Sequence, residues 1–279
     1  MRKYPQIIII ILSSLLLSAC QQEQPPLPLK FTAYEHNPVL TKGLPGSWDE
    51  LFIALPDVTL HRGIFYLYYM GCTTYGVVSI GFATSTDGYT FQKSIKNPVL
   101  FPDGDGFAAF GVGAPVIMRQ DSIWVMFFNA IEAARWGPGA FVGRAVAGDI
   151  TGPWIKDEFP VLTTGTMGEW DAGFVNPCSV IRLTDGSLRM YYSGGIDFST
   201  NVMNFIGMAV SSDGITWIKY NDPATHDFPF KESDPVLLTG EQNEWDGIHV
   251  HEAYICMVPE GYWMYYTGTP EKRSRLIKI

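Results

Sequence analysis

The tripeptide Pro-Val-Leu occurs four times in this chain, at Pro38-Val39-Leu40, Pro98-Val99-Leu100, Pro160-Val161-Leu162 and Pro235-Val236-Leu237, at intervals of 60, 62 and 75 residues. Recurrence on that scale restricts the chain to a repeat architecture, in which each unit buries its apolar face against the next. Each unit also carries an aromatic run: Phe65 to Met70, Trp124 to Phe128, Met190 to Tyr192 and Tyr262 to Tyr266. Such runs, bounded by Gly and Asp, are strand signals, and no long period of 3.6 competes with them. A third strand follows as Ile80-Gly81-Phe82-Ala83, Val142-Gly143-Arg144-Ala145 and Ile206-Gly207-Met208-Ala209. Asp87-Gly88 and Asp213-Gly214 then supply the positive φ of a tight hairpin, and the second unit substitutes Asp149 to Trp154.

Four antiparallel strands in about 60 residues predict a propeller blade, because a sandwich does not repeat in register. The predicted fold is therefore all-β, a β-propeller with repeats at about 31–96, 97–158, 159–222 and 233–279. The last is expected to be incomplete: Leu276 to Ile279 match only the start of a third strand. A blade without outer strands leaves an unpaired edge. The expectation is thus three complete blades and a partial fourth, in a fragment, a truncated product, or a ring completed from outside this chain.

Of the 279 residues 47% are hydrophobic and 17% charged, enough apolar material for a large core and too little charge for a disordered chain. Residues 1–19 pair Arg2 and Lys3 with an apolar run from Ile7 to Leu17. That run is too short to span a bilayer and has the flanks of a secretory signal. Leu17-Ser18-Ala19-Cys20 resembles a bacterial lipobox, which implies cleavage before Cys20, lipid on its thiol, and a Pro-rich tether over 20–30 ahead of the propeller domain at 31–279. An exported protein held in the cell envelope is the expected localisation. Loss of Arg2 and Lys3 would make the formal charge of −9 more negative still, which argues against nucleic acid as a partner. With Cys20 lipidated, Cys72, Cys178 and Cys256 cannot all pair, and Cys178 and Cys256 read as small buried hydrophobes. No C-x-x-C or similar ligand spacing exists, so no cofactor is expected, with a divalent cation in the channel left open. Gly111-x-Gly113 lacks the third glycine and the helix of a dinucleotide site, and Ser211 to Trp217 is one residue short of a sialidase Asp-box.

The order Asn-Pro-Val-Leu, Trp-Asp, x-Pro-x-Val-Ile, Tyr-Tyr-x-Gly, Ile-Gly-x-Ala-x-Ser-x-Asp-Gly-x-x-Trp resembles the five-bladed propeller glycoside hydrolases, a superfamily that includes arabinanases, β-xylosidases, invertases and levansucrases. The resemblance covers residues 31–279 and implies three carboxylates at the channel mouth. These are a base Asp opening an Asp-Pro pair in blade 1, a tuning Asp opening another in blade 3, and an acid Glu before Tyr-Ile in blade 4. On this chain the pairs read Leu55-Pro56, followed by Asp57, and Asn176-Pro177, while blade 4 reads His251-Glu252-Ala253-Tyr254-Ile255.

Hydrolysis of a glycoside needs one carboxylic acid for the leaving oxygen and one carboxylate for water or carbon. Glu252 is the candidate acid, with burial in an apolar strand expected to raise its pKa. Asp57, two residues beyond Leu55 and so on the same strand face, is the candidate base. Asp171 is the weaker third candidate. It follows Trp170 as Asp49 follows Trp48 and Asp246 follows Trp245, and a residue recurring at one place in three blades reads as a turn or cap. Asn176 can hydrogen-bond a sugar. His249 and His251 share one strand face with Glu252 on the other, so His251 or Glu252, but not both, is expected to point into the channel. A glycoside hydrolase of plant or microbial glycans (arabinan, xylan or fructan) is the leading expectation. The alternatives are a carbohydrate-binding lipoprotein without catalysis and a truncated, inactive homologue.

Overall fold

A computed structural model describes residues 32–132, 140–196 and 204–270. The leader, Cys20, the tether and the Leu276 to Ile279 match lie outside the described residues. The chain divides between Glu35 and His36, and the fold reported is that of the unit beginning at His36.

That unit is built of antiparallel blades. Blade 1 holds β1 (Phe52–His61), β2 (Ile64–Cys72), β3 (Val78–Ser85) and β4 (Gln92–Lys93). Blade 2 holds β5 (Gly111–Gln120), β6 (Ile123–Ile131), β7 (Ala140–Ala147) and β8 (Ile155–Lys156). In blade 3, β9 (Phe174–Arg182), β10 (Leu188–Gly195), β11 (Asn204–Ser211) and β12 (Ile218–Lys219) are joined by β13 (Pro235–Leu237), which pairs with β11. The fourth repeat contributes β14 (His249–Val258) and β15 (Gly261–Thr269) among the described residues. Successive blades meet through one parallel backbone pair each, Val78 with Gly111, Ala140 with Phe174 and Asn204 with His249.

Side chains therefore hold the blades together, and the two-residue period of the middle strands decides which seam each one fills. Trp124, Met126 and Phe128 of β6 pack with Tyr68, Ile80 and Phe82 of blade 1. The residues between them, Val125 and Phe127, pack with Trp170, Leu188, Met190 and Tyr192 of blade 3. Tyr191 goes on to the blade 4 seam with Val250, Ala253 and Met264. Each such fully buried side chain contributes roughly 1.5–3 kcal/mol.

The sequence motifs are local devices serving these seams. Ser85 and Ser211 accept the N–H groups of Asp87 and Gly88, and of Asp213 and Gly214, while Asp87 and Asp213 accept two further N–H groups each at 2.8 Å. Gly88 and Gly214 take φ of 77° and 74° there, as a tight turn requires. In the Tyr-Tyr-x-Gly motif the glycine makes room for the indole of the Trp-Asp pair. A Cβ at Gly71, Gly194 or Gly268 would come within 2.4–2.8 Å of Trp48, Trp170 or Trp245. Those indoles lie against Tyr69, Tyr192 and Tyr266, with ring centroids 5.4, 5.7 and 5.2 Å apart.

Candidate active site

The inner strands β1, β5, β9 and β14 share an irregularity that positions the site. In β1 the pairing jumps from Ala54 opposite Met70 to Asp57 opposite Tyr68, so that Leu55 and Pro56 together face Tyr69. In β5, Ala114 and Pro115 face Phe128; in β14, Glu252 and Ala253 face Tyr266. In β9 the extra residue falls one place later, with Pro177 and Cys178 facing Tyr192. A bulge of this kind re-aims the side chain that carries it. Leu55, Ala114 and Glu252 sit at φ of 49°, 44° and 56°, a left-handed conformation that costs an L-residue roughly 1–2 kcal/mol. Backbone strain repeated at one level of three strands makes this level the candidate functional one.

Leu55, Ala114, Asn176 and Glu252 form a ring at that level, and each lines two cavities. The upper, of about 310 Å³, lies towards the strand starts and adds Met70, Asn129, Phe174, Ser193, Asn204, His249 and His251. The lower, of about 220 Å³, adds Asp57, Cys178, Tyr254 and Thr267 among others. Glu252 is thus the one carboxylate of the ring, and Asp57 is the other carboxyl facing a cavity that Glu252 also lines.

Their environments differ. The Asp57 carboxyl is partly buried, accepts the Ile117 N–H at Oδ2 (2.8 Å), and is pushed up to about 6 because desolvation outweighs that hydrogen bond. Glu252 is held below the usual carboxylate range, chiefly by His251, whose Nδ1 stands 3.6 Å from Oε1, with Thr267 Oγ1 donating to Oε2 at 3.1 Å. The expected upward shift from burial is therefore corrected: the side chain is 42% exposed, and its partners outweigh desolvation. A second correction concerns direction. His251 and Glu252 both line the upper cavity, with His251 Nδ1 3.6 Å from Glu252 Oε1, because the bulge breaks the alternation that would separate them. The Glu252 N–H, freed from the ladder, donates to Ser193 Oγ at 3.0 Å.

Asn176 and His249 also line the upper cavity. Asp171 does not belong to the site. It is fully buried outside both cavities, accepting Lys219 Nζ at 2.6 Å, the Tyr192 hydroxyl at 3.2 Å and the Gly165 N–H at 3.1 Å. Asp49 repeats this arrangement with Lys93 and Tyr69, and Asp246 with Tyr266. The Trp-Asp pair is a brace in front of β1, β9 and β14, and Asp171 is withdrawn as a catalytic candidate.

Residues overlooked in the sequence include Met70, Asn129, Ser193 and Thr267, which line the cavities from the second strands. A signal was present: they are the variable position of Tyr-Tyr-x-Gly and its blade 2 counterpart Phe127-Phe128-Asn129-Ala130. Cys72, Cys178 and Cys256 are free thiols, with Cys178 beside Ser193 Oγ (3.1 Å) under the ring. Among the described residues no group of three or more His, Cys, Asp or Glu is arranged to hold a metal ion.

No protein-family model and no curated protein sequence matches the chain. Solved structures do. One, described as family GH130 of mannoside phosphorylases, containing glycoside hydrolases that target β-1,2-mannosidic linkages in Candida mannan, is similar over 85% of this chain and 68% of its own, with a TM-score of 0.65 and 19% identity. The family 117 glycoside hydrolase Zg3597 of Zobellia galactanivorans is similar over 82% of this chain and 70% of its own, with a TM-score of 0.56 and 19% identity. The α-L-arabinanase of Cellvibrio cellulosa is similar over 77% and 68%, with a TM-score of 0.53 and 15% identity. The chain carries the fold of the five-bladed β-propeller glycoside hydrolases. Of that fold the described residues make up three four-stranded blades and two strands of a fourth.

Proposed function

We propose that this chain is a glycoside hydrolase of plant or microbial glycans in which Asp57 is the proton donor and Glu252 the water-activating base. One observation carries the reading: two carboxyl groups line one cavity with their proton affinities driven apart, Asp57 upward and Glu252 downward. Such a pair marks which carboxyl gives a proton and which takes one. In the reaction the Asp57 proton passes to the glycosidic oxygen as its bond to the anomeric carbon breaks. Water adds its oxygen to that carbon and gives its proton to Glu252. The roles are the reverse of those implied by the family resemblance. The propeller hydrolases among the similar structures act on mannan and arabinan, which supports a polysaccharide substrate. The Lys-Arg leader and lipobox support export and attachment to the cell envelope through lipid on Cys20.

A glycan-binding role without catalysis is favoured by a different observation. Three ring positions, Leu55, Ala114 and Asn176, cannot ionise, and Asp57 receives the Ile117 N–H between blades 1 and 2 as Ser179 Oγ receives the Ile255 N–H between blades 3 and 4 (3.3 Å). The test is release of reducing sugar from arabinan, xylan, fructan, mannan and aryl glycosides by residues 21–279, with Asp57→Asn and Glu252→Gln as controls. Hydrolysis that falls by about 10²-fold or more in both variants supports the enzyme. Glycan binding by folded protein with no sugar released replaces it with the second reading.

A further inference from the structure

We propose that His251 is the positioning residue of this site: its imidazole, brought beside Glu252 by the bulge in β14, orients that carboxylate for its role as base. The inference rests on the hydrolase reading and adds to it a control element on the same strand.

The contact is built from three sides. His251 Nδ1 stands 3.6 Å from Glu252 Oε1, Thr267 Oγ1 donates to Oε2 at 3.1 Å, and the Glu252 N–H is tied to Ser193 Oγ at 3.0 Å. Each carboxylate oxygen thus faces its own partner, one on β14 and one on β15, while blade 3 holds the backbone. Neighbours in a regular strand point to opposite faces, so this pairing exists only because Glu252 takes a φ of 56°. The two side chains are 29% and 42% exposed, so the pair stays within reach of a ligand in the upper cavity. An imidazole on one side and a hydroxyl on the other leave the carboxylate little freedom to rotate, as a supporting shell must for a reacting group.

Among the described residues the other titratable groups facing Glu252 are Asp57 on β1, Cys178 on β9, and His249 and Tyr254 on β14. An ionised Asp57 would oppose the charge on Glu252, and the two thiol and phenol groups are pushed upward and stay neutral near pH 7. His251 Nδ1, 3.6 Å from Oε1, is the ring nitrogen that stands beside the carboxylate. The contact is also the largest cause of the downward shift of Glu252.

The experiment compares the wild-type chain with His251→Phe, which keeps a ring without a donor, and His251→Gln, which restores a donor. Two quantities are read: the ¹³C titration of the Glu252 side-chain carboxyl, assigned by its loss in Glu252→Gln, and kcat and KM against pH on the substrate found above. In His251→Phe the Glu252 titration moves up towards the ordinary carboxylate value. In that variant kcat falls about tenfold with KM within twofold, and the acid limb of the pH profile moves up with the titration. His251→Gln recovers part of kcat. An unchanged Glu252 titration in folded His251→Phe overturns the inference. Absence of sugar release by the wild type would instead sink the hydrolase reading, and with it the base role, while the titration still decides the contact.

Discussion

Strands β1 and β14 each bring one carboxyl group to the same cavity, and they do so differently. Asp57 lies just past its bulge, back in register opposite Tyr68, and its carboxyl meets a backbone N–H of the neighbouring blade. Glu252 is itself the bulged residue, and its carboxylate meets side chains of its own blade. Register therefore decides electrostatics. A side chain in the ladder is drawn into the seam between blades and desolvated, while a side chain on the bulge is turned into the channel, where it keeps contact with solvent and polar partners. Three bulges in this chain carry residues that do not ionise or sit one place later, so the chemistry depends on which residue the irregularity falls on rather than on the irregularity itself.

The strongest way to break this comparison is Glu252→Gln, which keeps the shape and removes the proposed base; a fall in kcat of about 10²–10⁴-fold is expected in sugar-release assays. Asp57→Ser separates the two roles of the other carboxyl. A serine there, as at Ser179, can still accept the Ile117 N–H, so a folded protein that has lost about 10²-fold in hydrolysis is expected, and undiminished hydrolysis would reduce Asp57 to a seam contact.

The pH profile sharpens the contrast. On the proposed roles Asp57 acts protonated, and burial pushes it up to about 6, so activity should fall as pH rises through about 6. On the same proposal Glu252 acts ionised and is held low, so activity should persist below the ordinary carboxylate range. An optimum on the acid side of neutrality follows, and an alkaline limb near pH 8 would exclude Asp57 as the donor.

Stability responds with opposite signs. Because the folded-state pKa of Asp57 is raised from 3.8 to about 6, its contribution is full below pH 3.8 and is lost as pH rises through about 6. Asp57→Asn should therefore raise stability at pH 8, by roughly 1–2 kcal/mol once the part exposure of the residue is discounted, and leave it nearly unchanged at pH 4. Urea unfolding at the two pH values measures this. The smallest effect is expected at the seam between blades 3 and 4, where Ser179→Ala removes the acceptor for the Ile255 N–H and should cost about 1 kcal/mol at either pH.

Much of the fold was legible because its signals are local. The Ser-x-Asp-Gly turn closes within six residues, and the glycine of Tyr-Tyr-x-Gly answers a tryptophan of the same repeat. Repetition of Trp-Asp pointed away from catalysis, and Asp171 in its buried ion pair agrees with that structural role. The site was legible only in part. Glu252, Asp57, Asn176, His249 and His251 line the two cavities, yet strict alternation set His251 and Glu252 on opposite faces, and burial in an apolar strand set the wrong direction for Glu252. The variable residue of Tyr-Tyr-x-Gly went unused, although its variation from Met70 to Asn129, Ser193 and Thr267 is what distinguishes one wall of the channel from the next.

By itself, then, the sequence determined the repeat, the strand order within each blade, the turns and the packing residues, since these depend on contacts within about 60 residues and on a period that can be read along the chain. Tertiary structure decided where the ladder slips and therefore which carboxyl enters the seam and which enters the channel. A bulge leaves no mark on hydrophobic periodicity, and although Pro56, Pro115 and Pro177 stand at three of the four, the β14 slip at Glu252-Ala253 carries no proline; it becomes definite only when the neighbouring strand is in place to be paired against.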